Sequence, residues 1–267
     1  MDTYLGREVY ESAPLEFVAC EFRYPLTPAL GRDDVAEKMP KEVLDRLPIP
    51  TQEELHSVTI GPGQASSSPA EARFRFLNRQ RTQSAVVGRS ALTIETTAYS
   101  EYQEFRSLLL SVASAVEGMA QIVGVERVGI RYINEIRVDA EIQTVRDWGS
   151  WVSDDVLRVM NVADDLRVGT LESVLRMESE DSHLTLRLAA LSGTGVVGNG
   201  PLRRRSQLAD GPFFVVDIDS YWGPSEDMMD FESDKLVALV DRLHLPVGSM
   251  FQSVLTDKVR DEFRRQA

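Results

Sequence analysis

The chain has 267 residues, 43% apolar and 27% charged, and its 29 basic and 42 acidic residues leave a net charge of −13. Such a length fits one large domain or two of ordinary size. The acidic balance repels phosphate backbones and argues against general nucleic-acid binding unless the basic residues are segregated on one surface. No apolar run approaches the roughly 20 residues that a membrane span needs. Met1 to Tyr10 carry acids where a secretory leader needs a basic and then an apolar segment. The single cysteine, Cys20, allows no internal disulfide, so the cytoplasm is the default compartment.

Residues 1–13 read as an accessory lead-in. In 15–24, Val18, Cys20, Phe22 and Tyr24 share one face while Glu21 and Arg23 share the other, the pattern of a half-buried strand. Pro25 ends it, having no N–H to give to the ladder. Prolines punctuate 26–70. A helix over 33–47, with Val35, Met39, Val43, Leu44 and Leu47 inside, is expected to kink or split at Pro40, and 61–69 reads as a loop. Short strands near 71–78, 82–88 and 90–97 form a meander. The period then changes: Tyr102, Phe105, Leu108, Leu109, Val112, Val116 and Met119 recur at three and four, predicting a helix. Ser100 and Gln103 suit a capping box at its start, and Gly124 suits its stop.

The cleanest alternation in the chain follows, at 127–138. Val128, Ile130, Tyr132, Ile136 and Val138 point one way, and Arg127, Arg131, Glu135 and Arg137 the other. Asn134 interrupts the apolar side. A buried amide without partners costs roughly 1–3 kcal/mol, so it is expected to tie the strand to neighbouring backbone. Trp148, Trp151 and the run from Asp154 to Asn161 predict short helices. Strands at 171–178, 183–191 and 213–219 surround a glycine-rich, arginine-bearing loop at 192–211, and helices over 230–243 and 247–264 close the chain. Strands then helix, twice over, predict an α+β fold of two similar sheet-and-helix lobes, 1–140 and 141–267, packed as one compact unit. A degenerate duplication with its break near 140–168 would account for that order.

Three short motifs carry a resemblance. Val18-Ala19-Cys20-Glu21-Phe22-Arg23-Tyr24-Pro25 is similar to a strand with Glu, Arg, an aromatic and Pro at these offsets. Val128-Gly129-Ile130-Arg131-Tyr132-Ile133-Asn134 is similar to a Gly-apolar-Arg-Tyr-apolar-Asn strand, and Leu243-His244, Phe251 and Thr256 complete a C-terminal pattern. Together they resemble a sporadically distributed bacterial family of about this length that has no assigned function. The resemblance implies no catalytic residue; the sporadic distribution implies a mobile-element, defence or toxin–antitoxin setting.

Candidate chemistry is sparse. Gly193-Thr194-Gly195-Val196-Val197-Gly198 matches the dinucleotide fingerprint letter for letter, but Asn199-Gly200-Pro201 follow where a helix must begin to receive the pyrophosphate. A loop is expected there, and no cofactor. Arg203, Arg204 and Arg205 on the same loop form the best basic patch, able to clamp phosphate, an acidic segment or a nucleic-acid backbone, with a solvated charge cluster as the simpler reading. Asp217 and Asp219 lie two apart on a strand, so both carboxylates share a side and could hold a divalent cation if other oxygens join. His56, His183 and His244 are too scattered for a metal motif; His183 reads as part of a hairpin turn and His244 as a helix-end cap or packing residue. Cys20 lies on an apolar face and reads as an inert thiol.

Arg23 and Arg131, each beside an aromatic (Tyr24, Tyr132), either line a shared surface that grips an anion or pair with Glu21 and Glu135 in a cross-strand ladder. The expectation is a non-catalytic binding or regulatory protein. It would act through contact with another protein, with Arg23, Arg131, Tyr132, Asn134 and Arg203–Arg205 as binding residues and homo-oligomerisation left open. The alternatives are a metal-dependent enzyme centred on Asp217 and Asp219, or a nucleic-acid-linked defence component using Arg203–Arg205.

Overall fold

In chain order, the computed structural model contains β1 (Leu15–Arg23), α1 (Val35–Lys38), α2 (Lys41–Arg46), β2 (Ile49–Leu55), β3 (Val58–Gly61) and β4 (Gln64–Ser67). Next come β5 (Glu71–Leu77), β6 (Gln83–Val87), β7 (Ala91–Thr96), α3 (Tyr102–Met119), β8 (Arg127–Ile136) and α4 (Asp154–Leu157). The last are β9 (Leu171–Glu178), β10 (His183–Gly193), β11 (Gly211–Trp222), α5 (Ser233–Val254) and α6 (Asp257–Arg265). The structure describes residues 10, 13–55, 58–61, 64–67, 71–158, 169–179, 182–197, 200–205, 208–224 and 227–265.

Nine strands form one antiparallel sheet in the order β2-β5-β6-β7-β1-β8-β11-β10-β9, with β3 and β4 as a separate hairpin. The fold is α+β, as the run of strands followed by helices requires. One sheet passes through both halves of the chain, because β8 pairs with β11 over nine residues from Phe214↔Ile136 to Trp222↔Val128. The N-terminal strand β1 lies inside the sheet, between β7 and β8.

The alternation in each strand decides its faces. Val18, Cys20 and Phe22 of β1, Val128, Ile130 and Tyr132 of β8, and Val216 and Ile218 of β11 all turn to one side, where they are buried. The longer helices α3 and α5 cover that side with Leu108, Leu109, Val112 and Val116 from one and Leu236, Val237, Val240 and Leu243 from the other. Each such side chain contributes roughly 1.5–3 kcal/mol by leaving water. Asn134 donates from Nδ2 to the Val216 carbonyl at 3.1 Å, tying β8 to the backbone of β11.

The helices near the ends depart from expectation. Pro40 splits the 33–47 segment into α1 and α2. α5, expected to stop at 243, continues through Pro246 to Val254. Proline removes one helical hydrogen bond, but Leu243, His244 and Val247 are buried along the same face and hold the helix together. His244 is therefore an interior packing residue, not a helix-end cap. The Ser100–Gln103 capping box does not form: α3 starts after Glu101 without a side-chain cap, and Ser100 donates to the Glu104 carboxylate instead. A capping box does form at Thr144 and Asp147, opening the 3-10 turn Val145–Ser150 that carries Trp148. The expected loop at 61–69 is, where described, part of the β3–β4 hairpin. The lead-in apart from Tyr10 and Ala13, His56, and the 154–161 run beyond Arg158 lie outside the described residues.

Candidate functional site

Odd-numbered residues of β1, β8, β11 and β10 point away from the helices and meet in rows across the sheet. One row runs Ala19, Arg131, Asp219 and Thr185; the next runs Ile133, Asp217 and Arg187. The result is a face of ion pairs. Arg131 grips Asp217 with two parallel bonds, Nε to Oδ1 at 2.7 Å and Nη2 to Oδ2 at 2.6 Å. That bonding holds the Arg131 guanidinium even more firmly in its charged form than usual, against the effect of burial. Arg187 reaches the same carboxylate at 3.5 Å. Arg127 spans from Glu21 at 3.3 Å to Asp219 at 3.0 Å, with its guanidinium 4.6 Å over the Tyr221 ring. Gly129 makes this possible, since a Cβ there would lie 2.7 Å from Arg127 Nη1. Arg23 pairs along its own strand with Glu21 at 2.6 Å.

The pairing continues to either side. Arg75, nearly enclosed, bonds Glu53, Ser84 and Glu95. Burial alone would raise the Glu53 carboxyl, but Arg75 and Arg73 outweigh it and hold it below the usual carboxylate range. At the other end, the β10–β11 connection at 194–210 is latched to the sheet by Glu135. This fully enclosed carboxylate accepts the Val196 and Val197 N–H groups at 2.8 and 3.1 Å and Arg204 Nη2 at 2.5 Å. Arg204 also reaches Glu16 at 3.3 Å and the Thr194 carbonyl at 2.7 Å. Burial pushes the Glu16 carboxyl up, in spite of Arg204. Gly195 lies directly over this latch at φ +127°, where a Cβ would fall 2.5 Å from Glu135 Oε2 and against Arg204.

No family model matches this chain, and no curated protein matches it. Function must therefore be argued from the face itself.

Among the predicted site residues, the structure brings Arg23, Arg131, Asp217 and Asp219 onto one surface. Arg204 joins them as the pinned centre of its triplet, while Arg203 and Arg205 flank it exposed. Arg131 pairs with Asp217 and not with Glu135, because β11 lies beside β8 and Glu135 is taken by the loop. Asp217 and Asp219 share a side, as expected, and each is answered by arginine. Among the described residues, no group of three or more His, Cys, Asp and Glu could hold a metal ion.

Tyr132 and Asn134 face the other way, into the core. Tyr132 Oη is hydrogen-bonded to His244 Nδ1 at 2.8 Å, and the His244 ring stacks on Tyr102 at 3.9 Å between centroids. Tyr102 in turn donates to Asp241, which Arg106 also holds. Burial raises the phenols of Tyr102 and Tyr132 well above their ordinary value. Cys20, fully enclosed in the same layer, is likewise raised by burial and stays a protonated thiol. His183 opens β10 and stacks on Tyr221 at 4.9 Å. The described part of the fingerprint stretch, 193–197, contains no helix.

Sequence reading misses the Glu135–Arg204–Gly195 latch and the Arg75 cluster. Arg73 and Arg75 alternating with Phe74 and Phe76 carry the same signal as 127–137. No helix among the described residues is long and apolar enough to cross a membrane.

Proposed function

We propose that this is a non-catalytic binding or regulatory protein that works through protein–protein contact, with the ion-paired sheet face as its recognition surface. The observation that carries this reading is a concentration of arginine on one face of an acidic chain. Eight arginines (23, 73, 75, 127, 131, 137, 187, 204) meet seven carboxylates there, although the whole chain has a net charge of −13. Arg23, Arg131 and Arg187 keep 56%, 45% and 40% of their side chains in solvent. Guanidiniums already oriented by a carboxylate on a stiff sheet lose little entropy on meeting a partner. An acidic protein segment suits them, with exposed Arg203 and Arg205 at the margin. The defence or toxin–antitoxin setting implied by the motif resemblance fits a protein of this kind.

The test is affinity purification from a bacterial lysate with the wild type and with an R23Q/R187Q variant, which leaves the Arg131–Asp217 pair in place. A stoichiometric protein should be retained by the wild type, released by added salt, and lost or much reduced with the variant. Equal retention by both chains would move the recognition surface elsewhere. A co-purifying nucleotide or metal without any protein would favour the enzyme alternative.

A further inference from the structure

The two edges of the nine-stranded sheet are built differently. β2, at one end, contains Pro50 and the neighbouring acids Glu53 and Glu54, features that keep another strand away. β9, at the other end, has the sequence Leu-Glu-Ser-Val-Leu-Arg-Met-Glu with no proline, and Val174 and Leu175 are each 52% exposed on its opposite faces. The core row Tyr132, Ile218 and Leu186 is buried, and its next member is Leu175, so the apolar row runs off the sheet edge into solvent. Glu172 and Arg176 are exposed on the polar side and make no ion pair among the described residues.

We propose that β9 pairs antiparallel with β9 of a second copy of this chain, about a two-fold axis through Val174. A symmetric interface requires residue i to face j and j to face i. Antiparallel pairing also requires opposed side chains to share a face, so the axis must pass through a residue and not between two. With the axis at Val174, Glu172 faces Arg176 of the second copy and Arg176 faces its Glu172, two opposite-charge pairs flanking a Val174–Val174 contact. On the other side Leu175 meets Ser173 of the copy directly and its Leu175 on the diagonal, while Leu171 meets Met177. Moving the axis to Leu175 sets Glu172 against Glu178; moving it to Ser173 leaves Arg176 opposite Thr170, which precedes the strand and carries no charge. Moving it to Met177 also opposes Arg176 and Glu178 but pairs only residues 176–178 of each strand, so the axis at Val174 is the self-complementary register that uses nearly the whole of β9. The dimer joins two nine-stranded sheets edge to edge and turns both ion-paired faces to the same side. This inference is independent of which partner that face recognises.

Sedimentation equilibrium of the intact protein should give twice the chain mass of 29.9 kDa. E172R and R176E, each of which places like charges opposite one another twice, should weaken association by about tenfold or more. The double variant E172R/R176E should restore it. A second measurement fixes the register. Paired Cα atoms in antiparallel strands lie about 4.5–5.5 Å apart, within disulfide range. V174C should therefore give a disulfide-linked dimer on mild oxidation, and E178C should not. The native Cys20 is buried and supplies no background. A wild type at single-chain mass, single charge variants that dimerise undiminished, a double variant that fails to recover although folded by circular dichroism, or cross-linking through 178 in place of 174 would each overturn the proposal.

Discussion

Replacing Glu135 by alanine removes the acceptor that three donors share, the Val196 and Val197 amides and the Arg204 guanidinium. The carboxylate is fully enclosed and Arg204 nearly so, leaving Glu16 at 3.3 Å as the only other carboxylate that Arg204 meets among the described residues. Breaking one side of a buried, hydrogen-bonded ion pair costs about 3–5 kcal/mol, chiefly because the surviving charge is stranded. For a chain of this size each kcal/mol lowers the melting temperature by about 2–4 °C, so E135A should melt roughly 10 °C below the wild type. The double variant E135A/R204A should lose less than the sum of the single losses, because the Arg204 guanidinium is then no longer stranded. The latch also tethers a loop whose Arg203 and Arg205 side chains are exposed. Trypsin should cut after these residues faster in E135A than in the wild type, with the fragments assigned by mass. An E135A protein within about 1 kcal/mol of the wild type, cut at an unchanged rate, would show that the loop is held by something other than this carboxylate.

Three further outcomes follow from the same geometry. Cys20, enclosed and held protonated by burial, should react with an aromatic disulfide reagent only as fast as the chain unfolds; prompt labelling of native protein would contradict its packing. Glu53 has a folded pKa below its unfolded value, so its stabilisation is present above the ordinary glutamate range and is lost as pH falls through the folded value. E53Q should therefore destabilise at neutral pH and converge on the wild type in strong acid, and a constant gap in denaturant midpoint across that range would refute the assignment. Asp217 and Asp219 are each engaged by arginine, so millimolar Mg2+ or Mn2+ should leave the melting temperature unchanged. A rise abolished by D217N/D219N would show that the carboxylates release their arginines to a cation.

The strands are readable because alternation is local: the expected 71–78, 82–88 and 90–97 are β5, β6 and β7 to within a residue or two. β2 escapes because Pro50 and a charged run disguise an edge strand, and the β3–β4 hairpin because its glycine and serine look like loop. Strand order is a different matter. Arg131 and Asp217 are 86 residues apart in sequence, and nothing in either segment says that β8 and β11 are neighbours. The cross-strand ladder expected of Arg23 and Arg131 is therefore not the one that forms: Arg23 pairs with Glu21 along its own strand, and Arg131 pairs across strands with Asp217. For a similar reason His244 is left open in the sequence between cap and packing residue, and the structure decides for packing. Its neighbour Pro246 suggests a helix end, but the contacts that carry α5 past the proline come from Tyr102 and Tyr132, far off in the chain.

The strand order also has a consequence for biosynthesis. The block β2-β5-β6-β7-β1-β8 is drawn entirely from residues 15–136, while β11, β10 and β9 come from 171–222. On the ribosome, six neighbouring strands can assemble while β8 still presents its alternating apolar row and an unpaired edge. At about 5–20 residues per second, several seconds pass before β11 emerges to close that edge, and α5 arrives later still. A nascent chain paused in this interval exposes the kind of surface that chaperones recognise and aggregates grow from.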